Sequence, residues 1–87
     1  MNELWLNNNV NSFVNEVYFE AIRASGKYAP MNSLHEGYAV ILEELDELWE
    51  QVRKQNECRD SSIIHTELKQ IAAMAVRTAV DLGFFDK

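Results

Sequence analysis

Hydrophobic residues recur every three or four positions along most of the chain, which is the spacing of an amphipathic helix. The longest such stripe is Leu34, Tyr38, Ile41, Leu42, Leu45, Leu48, Trp49 and Val52. Ser33 and Glu36 stand at its start with the spacing of a capping box, in which two side chains satisfy backbone amides of the first turn. The pattern predicts a long helix beginning at Ser33, with this stripe in the core.

A shorter stripe precedes this helix. Its apolar positions are Val10, Phe13, Val14, Val17, Tyr18 and Ala21. They predict a first helix that follows the Asn-rich opening at residues 7–9 and ends near Ser25 and Gly26. A glycine tolerates the left-handed conformation of a helix end, and Pro30 prevents helical continuation through the connector.

A third helix is predicted after the polar connector of residues 54–62. Asp60 or Ser61 is available as its N-cap, and its periodic pattern runs from about Ser62 to Leu82. The chain thus reads as one all-α domain, residues 1–87, because it is too short for two ordinary domains.

The third helix is apolar on nearly all sides between Ile71 and Val76, and three of those residues are alanines that allow close helix packing. Three helices of one subunit supply too little cover for it. We therefore expect the antiparallel long helices to complete a four-helix-bundle core by oligomerisation, as a homodimer or homotetramer. The C-terminal Phe84 and Phe85 either join that interface or plug the chain's own core.

The composition of the chain limits the classes of partner and the location that we expect. The formal net charge of −6 opposes contact with a phosphate backbone or an anionic membrane surface, so neither nucleic acid nor a membrane is an expected partner. No stretch reaches the roughly 20 apolar residues of a membrane span, and no leader pattern opens the chain. The single cysteine, Cys58, cannot form an intrachain disulfide, and a reducing cytoplasmic location is expected.

Six acidic residues lie on the second helix, and charge on the outer face of such a helix is ordinarily solvated. They are Glu36, Glu43, Glu44, Asp46, Glu47 and Glu50. Glu36, Asp46 and Glu50 fit that interpretation. Glu44 and Glu47 differ, because their three-residue spacing places both carboxylates on one side, toward the flank of the stripe. They are expected to face a neighbouring helix.

Glu67 lies between Ile63 and Ile71 on the third helix, in otherwise apolar surroundings. A buried carboxylate is costly unless it is paired or binds a metal. The alternative explanation is that Glu67 is partly solvated near the start of the helix, or that it pairs with Arg53, Lys69 or Arg77. Two carboxylates on one helix facing a third on the next supply the hard oxygen ligands that Mg²⁺ requires.

Residues 43–47 read Glu-Glu-Leu-Asp-Glu, and residues 67–70 read Glu-Leu-Lys-Gln at the head of an alanine-rich helix. This arrangement resembles the MazG-like all-α nucleotide pyrophosphohydrolases, whose motif is Glu-Glu-x-x-Glu on one helix and Glu-x-x-Asp on the next. The segments 35–40 and 71–75 look like the small phage-type members of that group. The resemblance covers about residues 33–82.

The resemblance implies a ligand set and an activity. Glu44 and Glu47 would be the first metal-binding pair, Glu67 the third ligand, and Glu43 an adjacent acid. Gln70 stands where the family has an aspartate, and its amide contributes a carbonyl oxygen without charge. The implied reaction is Mg²⁺-dependent hydrolysis of a nucleoside triphosphate to the monophosphate and pyrophosphate, with Mn²⁺ as an alternative ion and the three glutamates as the catalytic residues.

Phosphate groups also need positive partners, and four cations near the motif helices are candidates. They are Arg53, Lys54, Lys69 and Arg77. Tyr38 and Trp49 either belong to the core or stack on a base. His35 and His65 are expected at the surface or in capping positions.

A non-catalytic function is the alternative hypothesis. The same helices would then form an oligomeric interaction module or a nucleotide- or metal-binding module, and the acidic stripe would serve solubility or meet a basic partner. Gln70 favours this hypothesis, whereas the inward placement of Glu67 favours the enzyme.

Overall fold

The structure, a computed structural model, describes residues 2–85 and is all-helical over that range. Helix α1 spans Glu3–Lys27, α2 spans Leu34–Val52 and α3 spans Ser61–Leu82. A 3-10 turn at Asn56–Cys58 interrupts the connector between α2 and α3. The all-α fold class is therefore confirmed. No helix in the described part of the chain is both long and apolar enough for a membrane span.

Helix α1 includes the Asn-rich segment that was predicted to precede it. Asn2 caps the helix by accepting a hydrogen bond from the amide of Trp5 at 2.7 Å. The side-chain amide of Asn9 donates to the carbonyl of Trp5 at 2.7 Å, so this asparagine supports the helix. The predicted end was also slightly early, because Gly26 is helical and the helix continues to Lys27.

Side-chain caps start the other two helices where the sequence placed them. Ser33 Oγ accepts from the amide of Glu36 at 3.0 Å. The Glu36 carboxylate returns to the amide of Asn32 at 2.9 Å, one residue before the amide that a standard capping box uses. Asp60 caps α3, and its carboxylate accepts from the amide of Ser62 at 2.9 Å.

Helix α3 ends at a left-handed glycine. Gly83 has φ of 78°, and the amide of Phe84 donates to the carbonyl of Ala79 at 2.8 Å, as in a Schellman motif. Phe84 and Phe85 are both exposed. The suggestion that they plug the chain's own core is therefore wrong, because the chain turns outward after Gly83.

Helix α3 is the central element, and α2 packs against it in the antiparallel sense. Gly37 near the start of α2 lies against Thr78 near the end of α3. At the other end of α2, Gln51 Oε1 accepts from the amide of Asp60 at 3.0 Å. An added Cβ on Gly37 would lie 2.5 Å from Thr78 Cγ2, so a glycine permits this close approach of the two helices.

Helix α1 packs on α3 in the parallel sense. Glu16 pairs with His65 at 2.8 Å, and farther along the carbonyl of Ala29, just beyond α1, accepts from Arg77 Nη2 at 3.0 Å. In residues 2–85, α1 and α2 make no close backbone contact with each other. The two helices therefore flank a trough whose floor is α3.

The core is small for a chain of this length. Its buried apolar residues are Val17, Ala21, Ala24, Met31, Ala73 and Met74. The radius of gyration is 14.7 Å, whereas about 12 Å is expected for a compact chain of 87 residues. The open arrangement of α1 and α2 accounts for the difference.

Most of the α2 stripe does not face this core. Its exposed members are Leu34, Tyr38, Leu42, Leu45, Trp49 and Val52, which we call the outer apolar face. The residues of α2 buried against α3 are instead Gly37 and Gln51, with Ile41 and Leu48 half-buried between them. The stripe is therefore not covered within one chain, because a second side of the helix packs on α3. Its burial in an oligomer stays a prediction.

Candidate metal centre

A cavity of about 670 Å³ occupies the trough between α1 and α2. Its floor is formed by α3 and one end is closed by the α1–α2 connector, including Pro30 and Met31. Six glutamates line it: Glu20, Glu36, Glu43, Glu44, Glu47 and Glu67. The acids of α2 and α3 are therefore partly directed into a shared space and are not simply distributed over a solvated face.

Three carboxylates converge on one side of the cavity. Glu44 and Glu47 come from neighbouring turns of α2, and Glu67 comes from the facing turn of α3. One oxygen from each lies within 4.8 Å of the others. The antiparallel contact of α2 with α3 produces this convergence, because the register set by Gly37 and Gln51 brings residue 44 opposite residue 67.

Glu67 carries a buried oxygen with no partner. Its Oε2 atom is inaccessible to solvent and lacks a hydrogen-bond partner among residues 2–85. A carboxylate only accepts hydrogen bonds, so the facing carboxylates of Glu44 and Glu47 cannot satisfy it unless a proton or a cation is shared. An unsatisfied buried acceptor is costly, so this atom requires either a shared proton or a cation.

The same arrangement changes the acidity of the site. Burial, reinforced by the neighbouring carboxyl groups of Glu67 and Glu47, raises the pKa of Glu44 to about 7. Burial also raises the pKa of Glu67 above the usual range, and Glu47 adds to that effect. In the absence of a cation, Glu44 and Glu67 therefore favour the protonated form more than an ordinary glutamate does, and a bound cation would compete with that proton.

The donor set suits a hard divalent cation. Magnesium prefers oxygen ligands at about 2.0–2.1 Å, so ligands on opposite sides of one ion are about 4.2 Å apart. The three carboxylate oxygens lie within 4.8 Å of one another, and their side chains would have to bring them closer together to bind one ion. Three protein oxygens also leave positions for water and for phosphate.

Glu43 and Gln70, which the sequence also assigned to this site, are placed differently from the three converging carboxylates. Glu43 lines the cavity but is exposed, and it is not one of the three converging carboxylates. Gln70 also lines the cavity, one turn beyond Glu67, and its Nε2 donates to Glu20 on α1 at 2.8 Å. The amide group of Gln70 is therefore held by its nitrogen, with its carbonyl oxygen as the end available to a ligand.

Three of the four cations named as phosphate partners do not line the cavity. Arg53 forms an exposed pair with Glu50 at 3.4 Å, and neither Lys54 nor Lys69 is part of the wall. Arg77 does line the cavity, but the residue is only 4% exposed. Proximity in sequence to the motif helices was thus a poor guide to proximity in space.

The aromatic and histidine predictions have mixed outcomes. Tyr38 and Trp49 are 68% and 57% exposed, so they do not belong to the core of the chain, and neither lines the cavity where a base would stack. His35 is exposed, as expected. His65 is also exposed, where it bonds to Glu16.

Sequence reasoning missed two residues of the cavity wall, Glu20 and Arg23 of α1. Glu20 is 9% exposed and pairs with Arg23, while Gln70 donates to it from α3. A signal was available, because Glu20 lies three residues after Val17 and four before Ala24, within the apolar side of α1. A carboxylate at such a position requires a partner.

Comparisons with protein families, with curated proteins and with solved structures found no match for this chain. A functional hypothesis therefore depends on the chemistry of the cavity and on the resemblance of the acidic motifs.

Proposed function

We propose that the protein is a Mg²⁺-dependent nucleoside triphosphate pyrophosphohydrolase of the MazG-like type, with Mn²⁺ as an alternative ion. The observation that carries this proposal is the convergence of Glu44, Glu47 and Glu67 at the cavity, with one buried oxygen of Glu67 left unsatisfied. Acidic clusters are common on helices, but a buried, unpaired carboxylate oxygen between two other carboxylates is not an ordinary solvated charge.

The residues suit this chemistry in distinct ways. Glu44 and Glu67, which are half-buried, would hold the ion from two helices, and Glu47 would complete the set from the exposed side. A bound Mg²⁺ would neutralise phosphate charge and lower the pKa of an attacking water. Water would add to the α-phosphorus as the bond to the bridging α–β oxygen breaks, and pyrophosphate would leave. The cavity volume lies within the range of small-molecule sites.

The assembly forms part of this proposal. The outer apolar face of α2 would pair with the same face of a second copy, completing a four-helix bundle in a homodimer or homotetramer. Contiguous exposed aromatic and aliphatic side chains, including Tyr38, Leu45 and Trp49, support this arrangement, since soluble monomers seldom expose such a stripe.

A direct test is to incubate the purified protein with canonical and modified nucleoside triphosphates, with and without Mg²⁺, and measure pyrophosphate release. We expect release that requires the ion. Absence of turnover on every nucleotide, together with no thermal shift on adding Mg²⁺ or Mn²⁺, would sink the enzyme hypothesis.

The alternative is a non-catalytic helical oligomer that binds a nucleotide, a metal or a protein partner. One observation favours it, because the position of the family's fourth carboxylate is occupied by Gln70, whose side chain is engaged by Glu20. Metal binding without turnover, by an oligomer, is the result that this alternative predicts.

A further inference from the structure

The cavity wall is strongly acidic, yet the proposed substrate is an anion. Among residues 2–85, six glutamates and two arginines, Arg23 and Arg77, line the cavity. A metal ion offsets part of the negative charge, but a phosphate chain also needs a cationic hydrogen-bond donor. The two arginines are therefore the side chains to compare.

Arg77 is already committed to the structure. Its Nη2 donates to the carbonyl of Ala29 at 3.0 Å and lies 3.8 Å from Asp81. Its Nη1 donates toward Met74 Sδ at 3.8 Å, and its Nε has no hydrogen-bond partner among residues 2–85 but is inaccessible to solvent. These contacts fasten the α1–α2 connector to α3. Releasing this guanidinium to a ligand would break them, so Arg77 is a structural residue.

Arg23 is placed differently. Its side chain is 54% exposed, and one edge of the guanidinium is bound to Glu20, with Nε at 3.0 Å from Oε1 and Nη2 at 2.6 Å from Oε2. A guanidinium has a second edge, formed by its two terminal nitrogens. The N–H groups of this edge can donate two hydrogen bonds to a carboxylate or phosphate in the same way. That second edge remains available to a ligand.

Glu20 holds this arginine from a fixed position. Its side chain is 10% exposed, and Gln70 donates to the same Oε2 from α3 at 2.8 Å. The hydrogen bond from Arg23 lowers the pKa of Glu20, so the pair stays charged at neutral pH. A long, flexible side chain is thereby ordered at the wall before any ligand arrives, which reduces the entropy cost of binding.

We propose that Arg23 is the anion-binding residue of the cavity and that Glu20 positions it, side-on, to receive the phosphate chain of the substrate with its free edge. The identity of that chain as part of a nucleotide rests on the proposed function. The ligand chemistry recognised here is a phosphoanhydride, free or attached to a nucleoside.

The test uses inorganic pyrophosphate as the probe, titrated calorimetrically into the full chain in Mg²⁺. Arg23→Gln should weaken its affinity by about 10- to 100-fold, since a charge-assisted two-point contact is lost. Arg23→Lys should recover part of that loss, because the charge remains but the fork does not. Arg53→Gln is the matched control, because Arg53 forms an exposed pair with Glu50 at the same spacing and does not line the cavity.

The midpoint of thermal unfolding separates binding from structure. A merely structural Arg23–Glu20 pair would lower that midpoint in Arg23→Gln while leaving pyrophosphate affinity at the wild-type value, and this result overturns the inference. So does a wild-type protein that binds no pyrophosphate, or an Arg53→Gln variant that loses as much affinity as Arg23→Gln.

The inference and the proposed function fail in different ways. Arg23-dependent pyrophosphate binding without hydrolysis of any nucleotide would overturn the enzyme and support the anion site. Conversely, Mg²⁺-dependent turnover with unchanged KM and pyrophosphate affinity in Arg23→Gln would support the enzyme and overturn the anion site.

Discussion

Helix α2 presents two contrasting sides. The side toward α3 and the cavity includes a glycine, a buried glutamine and the half-buried Glu44, whereas the outer apolar face exposes Leu45 and Trp49 to solvent. In a stable monomer the polarity would be the reverse. The polar groups turned inward are the basis of the proposed metal site, and the apolar groups turned outward are the basis of the proposed assembly.

Loss of the Glu67 charge, on the helix that faces the inward side of α2, should have a large effect on activity. Glu67→Gln keeps the shape of the side chain but removes its charge, so we expect pyrophosphate release to fall at least about 100-fold, because binding and orientation of the ion are lost. The metal-free protein should be no less stable than wild type, since the change removes repulsion from Glu44 and Glu47. Turnover and chemical unfolding, measured in parallel, check both statements.

Glu50→Gln is the matched control for that experiment. Glu50 is exposed on α2, and among residues 2–85 its one ion pair is with Arg53, at 3.4 Å. We expect it to retain turnover within about twofold, given the small effect of exposed ion pairs. Equal losses in Glu50→Gln and Glu67→Gln would contradict a specific role for the converging carboxylates.

Charged substitutions on the outer apolar face should disrupt the proposed assembly. Leu45→Glu combined with Trp49→Glu should convert the assembly to a single chain of 10.1 kDa, because charges buried between helices lose their hydration. Sedimentation analysis measures the mass directly. Ile22→Glu on α1 is the control, because Ile22 is as exposed as Trp49 but lies on another helix. A wild-type protein that is already a monomer would refute the assembly.

Local signals in the sequence predicted much of the fold. Ser33 was predicted as a helix start, and Asp60 was one of two candidates with Ser61, because a cap depends on residues only two or three positions away. The approach of Glu44 and Glu47 to Glu67 was anticipated from helical spacing and the family resemblance. The Asn-rich segment led to a wrong prediction of where the first helix starts. An asparagine side chain that bonds to its own helix, as Asn9 does, cannot be detected from the hydrophobic pattern.

The remaining features depend on contacts that periodicity does not encode. A stripe such as that of α2 indicates burial, but it does not distinguish burial within one chain from burial between two chains. The role of Glu20 depends on Gln70, fifty positions away in the sequence. Which basic side chains line the cavity likewise depends on the parallel packing of α1 on α3.

A pair of glycine substitutions tests the register on which the inward side depends. Gly37→Ala places a methyl group against Thr78, whose side chain is buried and fixed by a 2.8 Å hydrogen bond to the carbonyl of Met74. Overpacking costs about 1–3 kcal/mol, and the better helix propensity of alanine returns about 1 kcal/mol. We expect a net loss of up to about 2 kcal/mol in the free energy of unfolding, measured with urea.

Gly26→Ala provides the comparison. Gly26 is helical and has open space around its Cα, so the same substitution should stabilise the protein by up to about 1 kcal/mol. If Gly37→Ala stabilised the protein to the same extent, the close approach of α2 to α3 would be contradicted.

A pH dependence also arises from the inward side of α2. The pKa of Glu44 is raised from its ordinary 4.5 to about 7, so the folded state binds its proton more tightly than the unfolded state. This contribution to stability is fully present below about pH 4.5 and is lost as the pH rises through 7. Between pH 5 and 8, with the metal chelated, we expect a loss of roughly 1–2 kcal/mol, reduced by solvent screening at this half-buried site.

Glu44→Gln removes the titrating group, so its stability should change less over the same range, and the difference between the two profiles isolates Glu44. Saturating Mg²⁺ should stabilise the wild type more at pH 8 than at pH 5, because the ion no longer competes with a proton. Parallel profiles for wild type and Glu44→Gln would contradict the raised pKa of Glu44 and, with it, the burial of that carboxyl group beside Glu67 and Glu47.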